Sequence, residues 1–143
     1  VDISEVGARK ARVLAQERGV ELDIQVADLA DWVQGAAALG PWDAIVSIFC
    51  HLPSGLRYDV ARALTPQLAP TGKLIMEAYT PAQPSMGSGG PKDEDLLMTR
   101  QKVVNDWPGL LLDVRITERR IFEGMGHQGL SSVIQVLGQP RRD

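Results

Sequence analysis

A single cysteine, Cys50, in 143 residues excludes an internal disulfide. A reducing cytoplasm is the simplest setting for such a chain. The only histidines, His51 and His127, have neither a nearby cysteine pair nor the helical His-x-x-x-His spacing, so no metal site is expected. No apolar run is long enough to span a bilayer. Basic residues form no patch: Arg119-Arg120 and Arg141-Arg142 are pairs, and the formal net charge is -3. Neither nucleic acid nor a membrane is therefore an expected partner. What remains is an ordinary soluble composition, 44% hydrophobic and 23% charged, in a length that suits one domain with one core.

The stretch 42–53 organises the rest. Ala44-Ile45-Val46 is an apolar run without alternation, which predicts a strand buried on both faces of a parallel sheet. It breaks into Ser47, Phe49, Cys50, His51 and Pro53. In open α/β sheets, ligands lie beyond the carboxyl ends of the strands, so Ser47 to His51 is the first place to look for chemistry.

Before this stretch, Val1-Asp2 reads as the last step of a strand, as if the sequence started inside a domain. Ser4 as N-cap and Gly19 as stop predict a helix between them. Gly7, Ala8, Ala11, Leu14 and Ala15 form its apolar face. Residues 22–27 alternate and predict a strand, ending at Asp28-Leu29. Residues 30–40 read as a loop with a helical turn. After it, Pro53-Ser54 starts a helix that Pro66 ends near Leu64. Pro70-Thr71-Gly72 predicts a turn. Residues 73–79 then form a strand, with Leu74, Ile75, Met76 and Ala78 buried.

Residues 80–92 hold three prolines and three glycines and predict no regular element. A long irregular loop in a compact domain is commonly functional, and its place after a strand's carboxyl end predicts an active-site flap. Leu96-Leu97-Met98 is an apolar anchor, and Thr99 caps a helix over 100–106. Strands around 112–117 and 130–137, joined by a glycine-containing turn at 123–129, predict a C-terminal antiparallel hairpin.

Several constellations compete for function. Asp2 and Asp28 stand at the ends of two predicted strands. Carboxylates there accept hydrogen bonds from ribose hydroxyls or an adenine amino group; each alone is equally read as a turn or helix cap. Together they favour an adenosine site. The glycine-rich loop that usually accompanies such a site is absent, and Gly87-Ser88-Gly89-Gly90 opens no helix. Cys50-His51 looks like a nucleophile and base, but adjacent side chains rarely aim at each other and no orienting third group is evident. His51 alone reads as a pocket-mouth contact. His127 reads as an exposed loop residue. Trp32, Trp42 and Trp107 read as core or rim.

Asp2-Ile3, Ala27-Asp28-Leu29, the stretch 42–53 and Glu77-Ala78-Tyr79-Thr80-Pro81 occur in that order. This pattern resembles class I S-adenosylmethionine-dependent methyltransferases. His51-Leu52-Pro53, Gly89-Gly90-Pro91-Lys92-Asp93 and Leu96-Leu97-Met98 resemble the tellurite-resistance subgroup. The resemblance covers essentially the whole chain. It implies an α/β, Rossmann-like methyltransferase sheet, mostly parallel with a C-terminal antiparallel β-hairpin. It also implies a single domain over residues 1–143 that lacks the family's first strand and glycine-rich loop. That strand would lie between those bearing Asp2 and Ile45, leaving unpaired edges.

For the site, the resemblance implies S-adenosylmethionine held by Asp2 at the ribose, Asp28 at the adenine amino group, and Ile3 and Leu29 beside the base. Ser47 and Phe49 would line its methionine end. His51, Tyr79, Glu123 and His127 would lie on the acceptor side. The implied reaction is methyl transfer to a small acceptor such as a thiol or chalcogen oxyanion. Two other classes stay open: a nicotinamide-dependent oxidoreductase half-domain, and a non-catalytic fragment or interaction module.

Overall fold

The structure, a computed structural model, describes residues 1–38, 40–122 and 126–141. Strands β1 (Trp42–Ile48), β2 (Leu68–Tyr79), β3 (Leu110–Phe122) and β4 (Gln128–Pro140) form one sheet in the order β1-β2-β4-β3. β1 and β2 run parallel, while β4 lies antiparallel between β2 and β3. The α-helices are α1 (Glu5–Arg18), α2 (Leu29–Trp32), α3 (Ser54–Leu64) and α4 (Arg100–Asp106).

Helix ends follow the capping residues. The Ser4 hydroxyl accepts from the Gly7 N–H at 3.0 Å, and Gly19 ends α1 at φ 62°, a conformation glycine takes without a Cβ penalty. Thr99 accepts from the Lys102 N–H and opens α4. α3 follows Pro53, which has no capping side chain. The Asp95 carboxylate replaces that cap from a distant loop, accepting from the Ser54 N–H at 2.7 Å.

Helices α3 and α4 cover one face of the sheet. Val60, Ala61, Leu64, Val103 and Trp107 meet Leu74, Met76, Ala78, Val114, Ile134 and Val136 there. Leu74 has no accessible surface, and such burial stabilises by about 2 kcal/mol. Alternation along the strands sends Val46, Ile75 and Leu137 to the other face. These three are cross-strand neighbours in register, and all are exposed. On that face the Glu77 carboxylate accepts from Arg119 and, at 2.7 Å, from the Gln135 side-chain amide.

Several sequence expectations are corrected. Residues 22–27 are not a strand. Their ladder is reduced to one parallel bridge, Asp2 with Val26, in which the Asp2 N–H donates to the Gln25 carbonyl and the Ala27 N–H to the Asp2 carbonyl. A strand needs a partner along its length, and α1 takes over the partner segment at Glu5. Strand β1 is not buried on both faces: it is the sheet edge, with Val46 62% and Ile48 47% exposed. Ile75, expected in the core, points to the open face.

The expected turn at Pro70-Thr71-Gly72 is absorbed into β2 as a bulge. Register passes from Trp42↔Leu68 to Ala44↔Lys73, two steps on β1 against five on β2. A Cβ at Gly72 would stand 2.7 Å from the Trp42 carbonyl oxygen, so the close approach there needs glycine. Leu14 is exposed, leaving Ala8 and Ala15 as the buried side chains of α1. Between α2 and β1 runs a 3-10 turn, Val33–Ala38.

Candidate functional site

The Asp2–Val26 bridge places Asp2 and Asp28 at the same end of two neighbouring segments. Each carboxylate makes a local bond through one oxygen. Asp2 Oδ1 accepts from the Ser4 N–H at 2.8 Å, and Asp28 Oδ1 accepts from the Ala30 N–H at 2.8 Å. The bland reading, turn and helix caps, is thus real for both. Both residues are nevertheless exposed, and a carboxylate has about four acceptor sites, so each keeps capacity for a ligand. Asp2 Oδ2 lies over Gly7, where a Cβ would come within 2.6 Å of it. Ile3 is 69% exposed, and Leu29 is half-buried against the core.

Strand β1 ends at Ile48, and Phe49, just beyond it, has a φ of 49° that is unusual for an aromatic residue. Such strain persists where the surroundings over-determine it, often at functional sites. Here the Phe49 N–H donates to the Glu77 carbonyl at 2.8 Å, and its ring stacks on Tyr79 at 4.6 Å between centroids. His51 stacks on the same Tyr79 at 5.4 Å. The Tyr79 ring is thus gripped by two residues that follow β1. His51 Nδ1 is buried without a hydrogen-bond partner. Burial holds the His51 pKa below the ordinary imidazole value. A hydrogen bond with the Leu96 backbone opposes this shift, and the nearby charge of His127 adds to it. The ring is therefore neutral at physiological pH.

Cys50 does not join this stack. Desolvation, then the charge of Asp2, raise its thiol pKa, the reverse of what a nucleophilic thiolate needs. At neutral pH it should react with a disulfide reagent more slowly than an unperturbed cysteine. A stopped-flow rate equal to that of a free thiol would refute this. Val1 lines the same cavity as Ile48 and Cys50, so the N-terminal segment lies across it from the carboxyl end of β1.

The loop at 80–92 is anchored rather than free to act as a flap. Gln83, wholly buried, donates to Ser88 Oγ at 2.9 Å and to the Gly89 carbonyl at 2.8 Å. Its carbonyl oxygen accepts from the Ser132 N–H of β4 at 2.9 Å. Ser88 Oγ donates to the Leu130 carbonyl and lies 2.7 Å from Ser131 Oγ. Gly89, at φ 90°, lies so close to His127 that a Cβ would fall 2.8 Å from its ring. A Cβ at Gly90 would meet the Tyr79 ring at 3.0 Å. The structure thus brings His51, Tyr79 and His127 together beneath one loop; Glu123 lies outside the described residues. Sequence reasoning missed Gln83, Ser88, Ser131 and Ser132. The available signal was a glutamine amid prolines and glycines, and a serine pair inside an apolar strand.

A cavity of about 640 Å³ lies beside the outer edge of β1, with Asp23 and Gln25 on one wall and Val46, Ser47 and Trp107 among its other lining residues. Phe49 does not line it; its ring faces Tyr79 instead. Among the described residues no cluster of His, Cys, Asp and Glu is arranged to hold a metal ion, and no helix is long and apolar enough to cross a membrane.

No family model and no curated protein matches the sequence. Solved structures do match. One, from work on the conversion of a disulfide bond into a thioacetal group during echinomycin biosynthesis, superposes with a TM-score of 0.72 at 14% identity over 97% of this chain and 64% of its own. TehB from Haemophilus influenzae gives 0.70 at 12% identity over 98% of this chain and 48% of its own. An S-adenosylmethionine-dependent methyltransferase from Clostridium acetobutylicum gives 0.64 at 10% identity over 99% and 74%. This is the Rossmann-like methyltransferase fold. The chain spans about two thirds and about half the length of the first two.

Asp2 and Asp28 are thus two exposed carboxylates with free acceptor capacity at the same end of neighbouring segments. Ser47 lines the cavity, as do Val1 and Leu29, the neighbours of Asp2 and Asp28 in sequence. Phe49, expected to line a ligand, is instead committed to the Tyr79 stack.

Proposed function

We propose that this chain serves methyl transfer from S-adenosylmethionine to a small acceptor, a thiol or a chalcogen oxyanion. The observation that carries the reading is the parallel bridge of Asp2 with Val26, which sets Asp28 two residues further on at the same end of the neighbouring segment. Asp2 would accept from the ribose hydroxyls and Asp28 from the adenine amino group, with Ile3 and Leu29 against the base. Ser47 would border the methionine end. When bound, the cofactor supplies the activated methyl group; the protein's work is to align the acceptor and exclude water.

His51, Tyr79 and His127 form the acceptor side in this reading. A soft anionic acceptor asks for little proton removal, which accords with a neutral, half-buried His51. A cytoplasmic location accords with the lone thiol. The sequence has no glycine-rich turn between a strand and a helix, so the nucleoside acids carry most of the binding that this chain supplies, and affinity for the isolated chain should be weak.

Titration with S-adenosylhomocysteine, followed by backbone amide shifts, tests this. Shifts are expected around Asp2, Asp28 and Ser47. D2N and D28N should each weaken binding about tenfold or more, the worth of a charge-assisted hydrogen bond. Shifts with NAD and none with S-adenosylhomocysteine would favour the oxidoreductase reading instead.

A further inference from the structure

We propose that two copies of this chain join their sheets through the outer edge of β3, the two β3 strands running antiparallel about a two-fold axis at Ile116. The argument rests on β3 and α4 and is independent of the methyl-transfer reading. β3 closes the sheet on the side opposite β1. In an antiparallel pair, residues that exchange backbone hydrogen bonds alternate with residues that do not. The Thr80 N–H donates to the Ser132 carbonyl, so even-numbered residues of β4 face β2 and odd-numbered ones face β3. Through the register of β3 with β4, odd-numbered residues of β3 bond to β4 and even-numbered ones turn their N–H and C=O groups outward. The Arg100 side chain of α4 agrees with this, donating to the Val114 carbonyl.

An open edge invites strand addition, and the charges on this one select the strand. Ile116 is the midpoint of the 13 residues of β3, so pairing about it engages all of them. Asp113 of each copy then stands opposite Arg119 of the other, and Arg115 opposite Thr117; no like charges face each other. Slipping by two residues, the smallest shift that keeps each side chain on its face, sets Arg115 against Arg115 or against Arg119. Glu118 of the second copy comes opposite Val114, beside the Arg100 guanidinium. Val114 packs in the core with Val103 of α4, and alternation puts Glu118 on that same helix-bearing face. Among the described residues, neither Arg100 nor Glu118 has an ion-pair partner in its own chain. The Val114 carbonyl keeps a second lone pair for the incoming amide. Two exposed apolar residues are also covered: Ile116 meets its own image, and Phe122 meets Leu110 of the other copy. An unrelated strand would have to reproduce this order of charges, whereas a second copy brings it by symmetry.

Sedimentation of the 143-residue chain should show a monomer–dimer equilibrium. As concentration rises, amide exchange should slow at Leu112, Ile116 and Arg120, and stay as it is at Asp113, Arg115 and Thr117, which β4 already holds. Arg100→Glu alone sets acid against acid at both ends of the contact, and Glu118→Arg alone sets base against base. Each should weaken the dimer about tenfold or more. Both positions are exposed, so amide shifts in β2 and β4 should stay unchanged in either variant. Mixing R100E with E118R should restore association, because every facing couple in the mixed dimer is again of opposite sign. A loss of stability within one chain cannot be rescued in that way. A monomer at every concentration, or a mixture that associates no better than its components, would overturn the proposal. Association untouched by either single variant would also overturn it and place the contact on another surface, such as the edge of β1.

Discussion

Gln83→Leu should lower the stability of the chain by about 3–5 kcal/mol, measured by urea unfolding. Gln83 is the tie between the loop at 80–92 and β4. Its amide satisfies Ser88, the Gly89 carbonyl and the Ser132 N–H at once. Leucine fills a similar volume but pairs with none of them. An unpaired buried backbone group costs about 1–3 kcal/mol, and two would be stranded here. Release of the loop should also change the surroundings of His127, because Gly89 lies close against that ring. Amide exchange at Ser132 should accelerate by more than the global stability loss explains. A Q83L variant within about 1 kcal/mol of the parent would show that the network contributes little.

Arg119→Ala is expected to cost about 2 kcal/mol at neutral pH and to reverse part of the pH dependence of stability. Glu77 is 8% exposed. Desolvation is the largest influence on its pKa and pushes it up; hydrogen bonds from Arg119 and Gln135, with the charge of Arg119, more than offset this and leave it below the ordinary value. A carboxylate with a depressed folded-state pKa stabilises above its unfolded value, and that stabilisation is lost as pH falls through the folded one. The parent should therefore weaken on acidification below the ordinary glutamate range.

Without Arg119, desolvation dominates and the folded-state pKa rises above the unfolded one. Stability should then fall as pH increases from the acid side toward neutrality. The cost is set well below that of breaking a fully buried pair because the Arg119 side chain is 38% exposed. Urea midpoints across the acid range, for parent, R119A and E77Q, provide the measurement. Parallel curves for parent and R119A would exclude this account.

Much of the fold was legible because its signals are local. Ser4, Gly19, Thr99 and Pro66 act on their own neighbourhoods, and each starts or stops a helix where the residue type predicts. The hairpin was legible from two alternating runs around a glycine-containing turn. What failed depends on partners. Ala44-Ile45-Val46 has the composition of a central strand, yet only β2 stands beside it. Residues 22–27 have a strand's pattern and a single residue, Asp2, to pair with. The candidate site was legible as a set of positions, not as contacts. Asp2 and Asp28 do share an edge, and His51 and Tyr79 do converge, although no spacing rule places Tyr79 between Phe49 and His51. The anchoring of the loop was illegible because hydrogen bonds between Gln83 and β4 span 49 positions of chain.

The sheet order has a consequence for synthesis. β2 is complete at Tyr79, but its antiparallel neighbour is β4, which begins at Gln128. During translation the edge of β2 therefore waits, unpaired, while some fifty residues are added. β3 is made in that interval, and pairing it with β2 would block the position that belongs to β4. A nascent chain halted before Gln128 exposes the edge of β2 as well as that of β1. Chaperones that bind extended apolar segments should engage it at that stage and release it once the last strand has emerged.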